Sequence, residues 1–385
     1  MSTRILAVAL LSALALGACS SNSKKSESTK PAKLVDFQPA FRVERVWHAS
    51  VGGQKPKLRV GLSAAVDGAA VYAAGHKGDL VAFNLQNGRK LWSRDVRAPL
   101  SAGPGAGDGL VVVGSSGGAV IAVAAANGAE RWRVQVGAEL LATPVIGGGL
   151  VLVRAVDGRL LALDAASGAR RWAVDQQVPR LSLRGNGPPL ISGDLAISGF
   201  DNGRLLAVTL GGGSPVWDVA VGQAHGSTEI QRLIDLDAPA IVEGDELFAV
   251  GYQGRVARLA RDSGPVLWAR DLSSHRGLAV TGDAIYVATS EGHVVRLDRR
   301  TGTEKWRQKA LLRRGLSAPA VVDGRVVVGD YDGVVHWLDA EDGHFLARSK
   351  AGGRISAPPR VLDGGRVLFF DDKGGLSVFR AAARK

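Results

Sequence analysis

Six tryptophans recur along this chain at spacings that a repeated structural unit explains. They lie 40, 40, 45, 51 and 38 residues apart, and each follows a glycine by four positions. The six are Trp92, Trp132, Trp172, Trp217, Trp268 and Trp306. A period of about 40 residues is typical of β-propeller blades, each a small four-stranded sheet. The repeat predicts one closed ring, although 385 residues would by length alone suggest two or three domains.

The third repeat shows the unit most clearly. It contains four short runs rich in strand-forming residues, at 143–146, 150–153, 157–164 and 167–172, and most are separated by turns that contain Gly or Asp. We label the four runs strands A to D, so that the repeated tryptophan lies on strand D. Glycine makes up 51 residues of the chain, in keeping with many tight turns.

Counting the hairpins between strands B and C gives the number of blades. Eight such hairpins can be recognised, at 71–83, 110–123, 150–163, 195–208, 247–259, 285–297, 326–338 and 367–379. The eighth has no strand D after it, whereas residues 43–49 look like a strand D with no A, B and C before it. The sequence therefore predicts an all-β, eight-bladed propeller of four-stranded antiparallel blades, closed by its N-terminal strand.

The tryptophan series has two interpretations, a row of binding residues or packing between blades. The regular position on strand D favours packing, since a large ring can join one sheet to the next. The seventh repeat departs from the pattern, because Ala347 stands where the tryptophan is expected. We expect Phe345 or Trp337 to fill that space.

The first 18 residues read as a secretory signal, with Arg4 before an apolar run of about a dozen residues. The string Leu16-Gly17-Ala18-Cys19 resembles a bacterial lipobox, which implies lipidation of Cys19 and removal of residues 1–18; the alternative is an ordinary signal peptide with an incidental cysteine. Ser20 follows, which by the same resemblance implies the outer membrane, on its periplasmic face. Residues 20–40 are rich in Ser, Lys, Asn, Thr and Pro and have almost no apolar side chain before Leu34. We therefore predict a flexible tether over residues 19–40 and the propeller over 41–385.

Composition excludes several classes of site. Cys19 is the single cysteine, so no disulfide within the chain and no cysteine-based metal cluster can form. The formal net charge of +12 suits anionic partners such as lipopolysaccharide or peptidoglycan, but scattered arginines are also typical of a solvated surface. We expect no nucleic-acid partner.

The repeated motif resembles the repeats of bacterial quinoprotein dehydrogenases, as in Asp164 to Trp172. That resemblance implies the propeller fold over residues 43–380. The dehydrogenases also hold a quinone and calcium, usually with an adjacent cysteine pair, which this chain lacks. The seven histidines show no paired metal-binding spacing. We therefore predict no cofactor and no catalysis, with a quinoprotein-like dehydrogenase or ligand sensor as the alternative.

Two consecutive connectors between strands D and A are longer than the others, running about 19 residues after Trp172 and about 25 after Trp217. Both should emerge on one face of the ring, side by side. The first contains Leu181, Leu183 and Arg184; the second contains Asp235 and Asp237, after a segment that could form a short helix from Ser227 to Leu233. Apolar residues beside charges suit protein binding; the alternative is that the connectors plug the channel or pack locally.

Taken with the lipobox and the eight blades, the strings Leu-Ser-Leu-Arg-Gly and Ser-Thr-Glu-Ile-Gln-Arg-Leu-Ile-Asp-Leu-Asp resemble the BamB family of outer-membrane assembly lipoproteins. The resemblance implies binding to a POTRA domain of BamA and to other subunits of the barrel-assembly machinery, and assistance to nascent outer-membrane proteins. The implied contact residues are Leu181, Leu183, Arg184, Asp235 and Asp237. Arg184 or the two aspartates could equally hold the connectors together, and the contact could be strand addition or loop docking.

Overall fold

The computed structural model describes residues 30–52, 61–179, 181–182, 185, 187–222, 228 and 233–383. Residues 32–385 belong to one compact unit. Within the described ranges every regular element is a β-strand, and no helix is long and apolar enough to cross a membrane. The predicted signal segment, Cys19 and most of the predicted helix from Ser227 to Leu233 lie outside the described residues.

The described residues form 33 strands. Their bounds are β1 (Arg42–Ser50), β2 (Gly61–Leu62), β3 (Ala64–Asp67), β4 (Ala70–Ala74), β5 (Asp79–Asn84), β6 (Lys90–Asp95), β7 (Leu100–Gly107), β8 (Leu110–Ser115), β9 (Ala119–Ala124), β10 (Glu130–Gln135), β11 (Val145–Gly147), β12 (Leu150–Arg154), β13 (Arg159–Asp164), β14 (Arg170–Asp175), β15 (Leu190–Ser192), β16 (Leu195–Gly199), β17 (Arg204–Thr209), β18 (Pro215–Ala220), β19 (Ile241–Glu243), β20 (Glu246–Val250), β21 (Arg255–Ala260), β22 (Val266–Asp271), β23 (Leu278–Val280), β24 (Ala284–Ala288), β25 (Val294–Asp298), β26 (Glu304–Gln308), β27 (Ala320–Val322), β28 (Arg325–Gly329), β29 (Val334–Asp339), β30 (Phe345–Lys350), β31 (Arg360–Leu362), β32 (Arg366–Phe370) and β33 (Gly375–Ala382).

The strands form eight antiparallel blades, and the predicted eight-bladed propeller is confirmed. Blades one to seven are β3–β6, β7–β10, β11–β14, β15–β18, β19–β22, β23–β26 and β27–β30. Blade eight combines β31, β32 and β33 with β1, which pairs antiparallel to β33 from Arg42 opposite Ala382 to Ser50 opposite Gly375. The prediction that the N-terminal strand closes the ring is therefore also confirmed.

Blade two contains a fifth strand that the sequence did not reveal. The two residues of β2 pair in parallel with β7, Gly61 opposite Ala102 and Leu62 opposite Gly103. A Cβ atom on Gly61 would lie 1.9 Å from the carbonyl oxygen of Leu141 in the next blade. Only a residue without a side chain fits this close approach. A strand of two residues is too short to show a hydrophobic period in the sequence.

The hydrophobic core is divided among the junctions between neighbouring blades, and the repeated tryptophans lie at these junctions. Trp132 of blade two donates its indole N–H to the carbonyl of Ala165 in blade three, at 2.8 Å. Its ring packs on Gly168 of blade three, where a Cβ atom would lie 2.7 Å from ring carbon Cε3. Gly168 also has a φ of +74°, a conformation that favours glycine. The packing interpretation of the tryptophan series is confirmed.

The same arrangement occurs at six further junctions. Each indole donates to a carbonyl of the following blade at 2.8–3.1 Å. The tryptophan and glycine pairs are Trp47 with Gly88, Trp92 with Gly128, Trp172 with Gly213, Trp217 with Gly264, Trp268 with Gly302 and Trp306 with Gly343. In the six regular repeats, the glycine four residues before a tryptophan therefore packs against the tryptophan of the preceding blade, not against the one that follows it in sequence.

The junction between blades seven and eight is built differently. Ala347 is small, and Trp337 of β29 is fully buried there in a cluster with Phe369 and Phe379 of blade eight. Phe345 instead joins the cluster between blades six and seven. Of the two residues expected to replace the missing tryptophan, Trp337 is the one at this junction.

Residues 32–41 lie along blade seven. The amide of Ala32 donates to the carbonyl of Leu312 at 3.0 Å. The ring of Phe37 stacks on Phe345 with 5.5 Å between centroids, and the guanidinium of Arg348 lies 4.7 Å from the centroid of Phe37. The boundary of the predicted tether at residue 40 stays a prediction, and its last part, where described, makes specific contacts with the propeller.

Candidate functional site

The two long connectors lie next to each other on one face of the ring. The first connector (residues 176–189) joins β14 to β15, and the second connector (residues 221–240) joins β18 to β19. In the second, the amide of Leu236 donates to the carbonyl of Phe200 at 3.4 Å, and the amide of Tyr252 donates to the carbonyl of Asp235 at 2.8 Å. Phe200 and Tyr252 lie in the B–C turns of blades four and five. The second connector therefore covers two neighbouring B–C turns, on the face where we expected it.

Glycines allow the connectors to touch. A Cβ atom on Gly185 would lie 2.5 Å from Oδ2 of Asp237, and one on Gly187 would lie 2.9 Å from the carbonyl oxygen of the same residue. Each glycine of the first connector thus leaves space that Asp237 of the second connector fills. Residues of the first connector also reach the blade, because Ser182 hydrogen-bonds the carboxylate of Asp201.

Three aspartates meet below this contact, and we call them the acidic cluster. Asp201 lies in the turn between β16 and β17, while Asp235 and Asp237 belong to the second connector. Carboxylate oxygens of all three lie within 4.8 Å of one another. Arg154, the last residue of β12, is 1% exposed and donates from Nη2 to Oδ1 of Asp201 at 2.9 Å. Its guanidinium also lies 4.3 Å from the ring centroid of Phe200. One buried cation of blade three therefore faces three carboxyl groups of blades four and five.

Burial controls the protonation of this cluster. Removal from water, together with the neighbouring carboxylates of Asp237 and Asp201, raises the pKa of Asp235 to about 10, against the attraction of Arg154. Burial likewise raises the pKa of Asp237 to about 7. Neither carboxyl oxygen of Asp235 accepts a hydrogen bond from an N–H or hydroxyl group of the described residues, although Asp235 is only 1% exposed. A protonated Asp235 can donate to Asp237, so this pair holds a proton near neutral pH.

The structure separates the predicted contact residues into different environments. Leu181 is 43% exposed on the first connector, as a contact residue should be. Asp235 is buried within the second connector, and the half-buried Asp237 contacts both glycines of the first connector. Leu183 and Arg184 lie outside the described residues. The role of all five in binding a partner stays a prediction, and the aspartates have in addition a structural role at the connector contact.

Arg154 and Asp201 were not singled out from the sequence. Arg154 ends an apolar strand, Leu-Val-Leu-Val-Arg, and a charge at the end of a buried run is a signal that could have identified it. Asp201 lies in a Gly-Phe-Asp-Asn-Gly turn, where Asp is an ordinary turn residue. Nothing in that local sequence indicates that Asp201 meets an arginine 47 positions earlier in the chain.

Two groups of the described residues bring together the side-chain types that bind metals. The acidic cluster is one, but Arg154 already supplies a positive charge to it. Asp339, Asp342 and His344 form the other, on an exposed hairpin of blade seven. There Asp339 accepts the amide of Glu341 at 2.7 Å, and Asp342 accepts the amide of His344 at 3.0 Å. These bonds are typical of turn-forming aspartates and account for the second group.

Comparison with solved structures agrees with this architecture. BamB from Moraxella catarrhalis matches with a TM-score of 0.81 and 30% sequence identity, over 88% of this chain and 100% of that one. A quinohemoprotein alcohol dehydrogenase from Pseudomonas putida HK5 matches with a TM-score of 0.72 but 13% identity, over 92% of this chain and 78% of that one. At that identity the dehydrogenase shares the propeller fold alone.

Comparison of sequences gives a closer relationship. The outer membrane protein assembly factor BamB of Pseudomonas aeruginosa is 44% identical over 374 residues, which is 97% of this chain and 98% of that protein. The family described as outer membrane protein assembly factor BamB matches residues 42–100, 87–308 and 291–384. These matches cover the whole propeller, including both long connectors, and the chain belongs to the family of outer membrane protein assembly factor BamB.

Proposed function

We propose that this chain is a non-catalytic scaffold of the barrel-assembly machinery. It binds the periplasmic POTRA region of a BamA-type protein and assists the insertion of β-barrel proteins into the outer membrane. The observation that carries the proposal is the contact of the two long connectors at Gly185 and Asp237, which fixes a surface bearing the exposed Leu181. Membership in the family of outer membrane protein assembly factor BamB supports it.

The surface that binds the partner is assigned to the first connector. Leu181, Leu183 and Arg184 make the direct contact, and an exposed leucine beside an arginine suits the centre of an interface. Asp235 and Asp237 act beneath that surface, since the buried carboxyl pair and Arg154 hold the connector in place. Nascent outer-membrane proteins and other subunits of the machinery are further partners of the same complex.

Binding affinity tests this assignment. We would measure the dissociation constant of the full-length chain for a POTRA fragment of its BamA partner, and compare Leu181→Glu and Leu183→Glu with the original chain. Loss of a central interface leucine should weaken binding by about thirtyfold or more. Leu91→Glu is the matched control, because Leu91 is 54% exposed on β6, far along the chain from both connectors. Unchanged binding by both connector variants would rule out this surface.

Cys19 is proposed to carry the lipid anchor that places the propeller on the periplasmic face of the outer membrane. Two or three acyl chains hold a protein firmly, at about 0.8 kcal/mol for each buried CH₂ group. The test is mass spectrometry of the mature N-terminus, followed by fractionation of a Cys19→Ala variant. A lipidated cysteine and a variant released from membranes are expected. An unmodified Cys19 in mature protein would contradict the anchor.

The absence of catalysis is also a proposal, with a quinoprotein-like dehydrogenase or ligand sensor as the alternative. The lone Cys19 leaves no adjacent cysteine pair of the kind those dehydrogenases usually carry. The dehydrogenase neighbour shares the fold at only 13% identity. Dye-linked oxidation of alcohols or sugars after addition of quinone and calcium would support the alternative, and failure of the purified chain to retain quinone would exclude it.

A further inference from the structure

The first strands of blades three to eight, together with β2, surround a central cavity of about 1130 Å³. Most of its wall is apolar, because the strands contribute Val, Leu, Ile and Ala side chains and several prolines precede them. A cavity of this size and character resembles small-molecule sites, which combine a largely apolar wall with a few placed polar groups.

Comparison of the strand pairing in the eight blades shows that Arg360 is a charged residue at a position where the other blades carry apolar residues or glycine. In each blade, one residue of strand A lies opposite the third residue of strand B. The strand A residues that do so occupy equivalent positions in the eight blades. Arg360 holds this position in blade eight, opposite Leu368. The other seven blades carry Ala65, Gly105, Val145, Leu190, Ile241, Ala279 and Ala320. A charge at this point has no structural counterpart elsewhere in the ring.

The guanidinium of Arg360 lines the cavity without a protein counter-charge. Among the residues that the structure describes, it makes no hydrogen bond or ion pair. Arg360 is exposed at the start of β31, and protein atoms around its guanidinium remove part of its water, which lowers its pKa. A cation that lines the cavity and has no ion-pair partner among the described residues is available to an anion that enters the cavity.

Other charges in the wall are already engaged. Asp372 lies 3.7 Å from Arg354 and accepts a hydrogen bond from Ser356. Arg276 donates to the carbonyl of Ser356 at 3.4 Å, so the guanidinium groups of Arg276 and Arg354 both lie on this side of the ring. Asp237 belongs to the acidic cluster. Among the described residues, none of the three carboxylates in this wall, Asp237, Glu243 and Asp372, forms an ion pair with Arg360. The arginines of the wall lie at blades six and eight.

We propose that the central cavity binds an amphipathic organic anion, with its carboxylate or phosphate group at Arg360 and its apolar body against the first strands of the other blades. Gly185, Pro188 and Pro189 of the first connector also line the cavity, but Arg360 lies in blade eight, and the proposal does not depend on the partner-binding assignment. A neutral molecule of the same shape would leave Arg360 without its counter-charge, so the site selects anions.

Competition with a fluorescent probe tests the proposal on the purified full-length chain. Anilinonaphthalene sulfonate, an aromatic anion that brightens in apolar surroundings, is the probe. Decanoate and decyl phosphate are competitors that separate a preference for carboxylate from one for phosphate, and decanol is the neutral competitor of equal length. Displacement by at least one of the two anions at concentrations about tenfold below those needed for decanol is expected.

Variants at Arg360 locate the site. Arg360→Leu places in blade eight the residue that blade four carries, and it should weaken binding of the competing anion about tenfold or more. Arg360→Lys keeps the charge and should retain most of the affinity. Arg366→Leu is the control, because Arg366 lies in the same blade but donates to Asp363 and Gln86. If Arg360→Leu does not fold, Arg360→Gln takes its place. Equal competition by decanol, or unchanged anion affinity in the Arg360 variant that folds, would overturn the proposal.

Discussion

Gly88 of blade one lies against the indole of Trp47, so that a glycine and the first strand of the propeller meet where the ring closes. A Cβ atom on Gly88 would lie 2.7 Å from Cε3 of Trp47, and the Trp47 indole donates to the carbonyl of Leu85 at 3.0 Å. The same pair of contacts occurs at six other junctions. At this one it joins residues from the two ends of the ring.

Gly88→Ala should therefore destabilise the protein through two effects. Its φ of +70° disfavours any residue with a Cβ atom, and the added methyl group also overlaps the tryptophan ring. Gly109→Ala is the matched control, because Gly109 has a φ of +73° and has nothing within 4 Å of the added atom. We expect Gly88→Ala to lose about 1–3 kcal/mol more unfolding free energy than Gly109→Ala, measured by denaturant titration. Equal losses would show that the ring contact contributes nothing.

The buried pair of Asp235 and Asp237 should make stability fall as pH rises. Their pKa values are raised in the folded protein, so the folded state binds more protons than the unfolded state above about pH 4. Stability is then fully present below that pH and is lost progressively through about pH 7, where Asp237 ionises, toward about pH 10.

Asp235→Asn tests this pH dependence. The amide cannot ionise, so the variant should melt at a higher temperature than the original chain at pH 8 and show a flatter profile between pH 5 and pH 9. Asp194→Asn, at an exposed hairpin of the same blade, should leave the profile unchanged. A profile for Asp235→Asn that matches the original would mean that the pair does not hold a proton near neutrality.

Arg154 should be essential to the folded state because it is the buried cation of the acidic cluster. Arg154→Gln leaves Asp201 without its partner and should cost about 3–5 kcal/mol, as is usual for breaking a buried ion pair. Adding Asp201→Asn should recover part of that loss. Arg204→Gln is the comparison, since the pair of Arg204 and Asp218 is about one-third exposed and should contribute under about 1 kcal/mol. A double variant no more stable than Arg154→Gln would argue against the pairing.

The contact of Phe37 with blade seven should protect residues 32–41 from hydrogen exchange. The guanidinium of Arg348 lies 4.7 Å from the ring centroid of Phe37 and 4.5 Å from that of Phe345, and it donates to the carbonyl of Val35. Arg348→Ala removes all three contacts and should speed exchange in this segment about tenfold, in line with cation–π energies of about 1 kcal/mol. Arg366→Ala is the control. Exchange that stays slow in Arg348→Ala would place the anchor elsewhere.

The number of blades and the closure of the ring could be predicted because each depends on a short local pattern. The glycine and tryptophan lie four residues apart, and the turns between strands carry their own sequence signals. The partner of each glycine was not predictable in this way. The Trp47 that packs on Gly88 lies 41 positions earlier, and no spacing within one repeat indicates that neighbouring blades exchange these residues.

The location of the candidate site on the ring could be predicted from the sequence, but the burial of its residues could not. Connector lengths indicated which face and which blades were involved. Asp235 was expected at a binding surface, whereas its burial depends on how the second connector packs over the turn at Tyr252 and beside the turn at Phe200. Similarly, residues 20–33 have the polar composition of a tether, whereas Leu34, Val35 and Phe37 are apolar, and the contacts of Phe37 depend on where blade seven lies.

The pairing of β1 with β33 imposes an order on folding. The chain is made from its amino end, so β1 must remain without its neighbour until residues more than 300 positions later are available, Arg42 being opposite Ala382. Contacts of such separation form slowly, and unpaired strand edges invite association with other chains. Chains that stop before β33 therefore keep two open edges, and molecules caught at that stage are candidates for aggregation or for strand exchange with another copy.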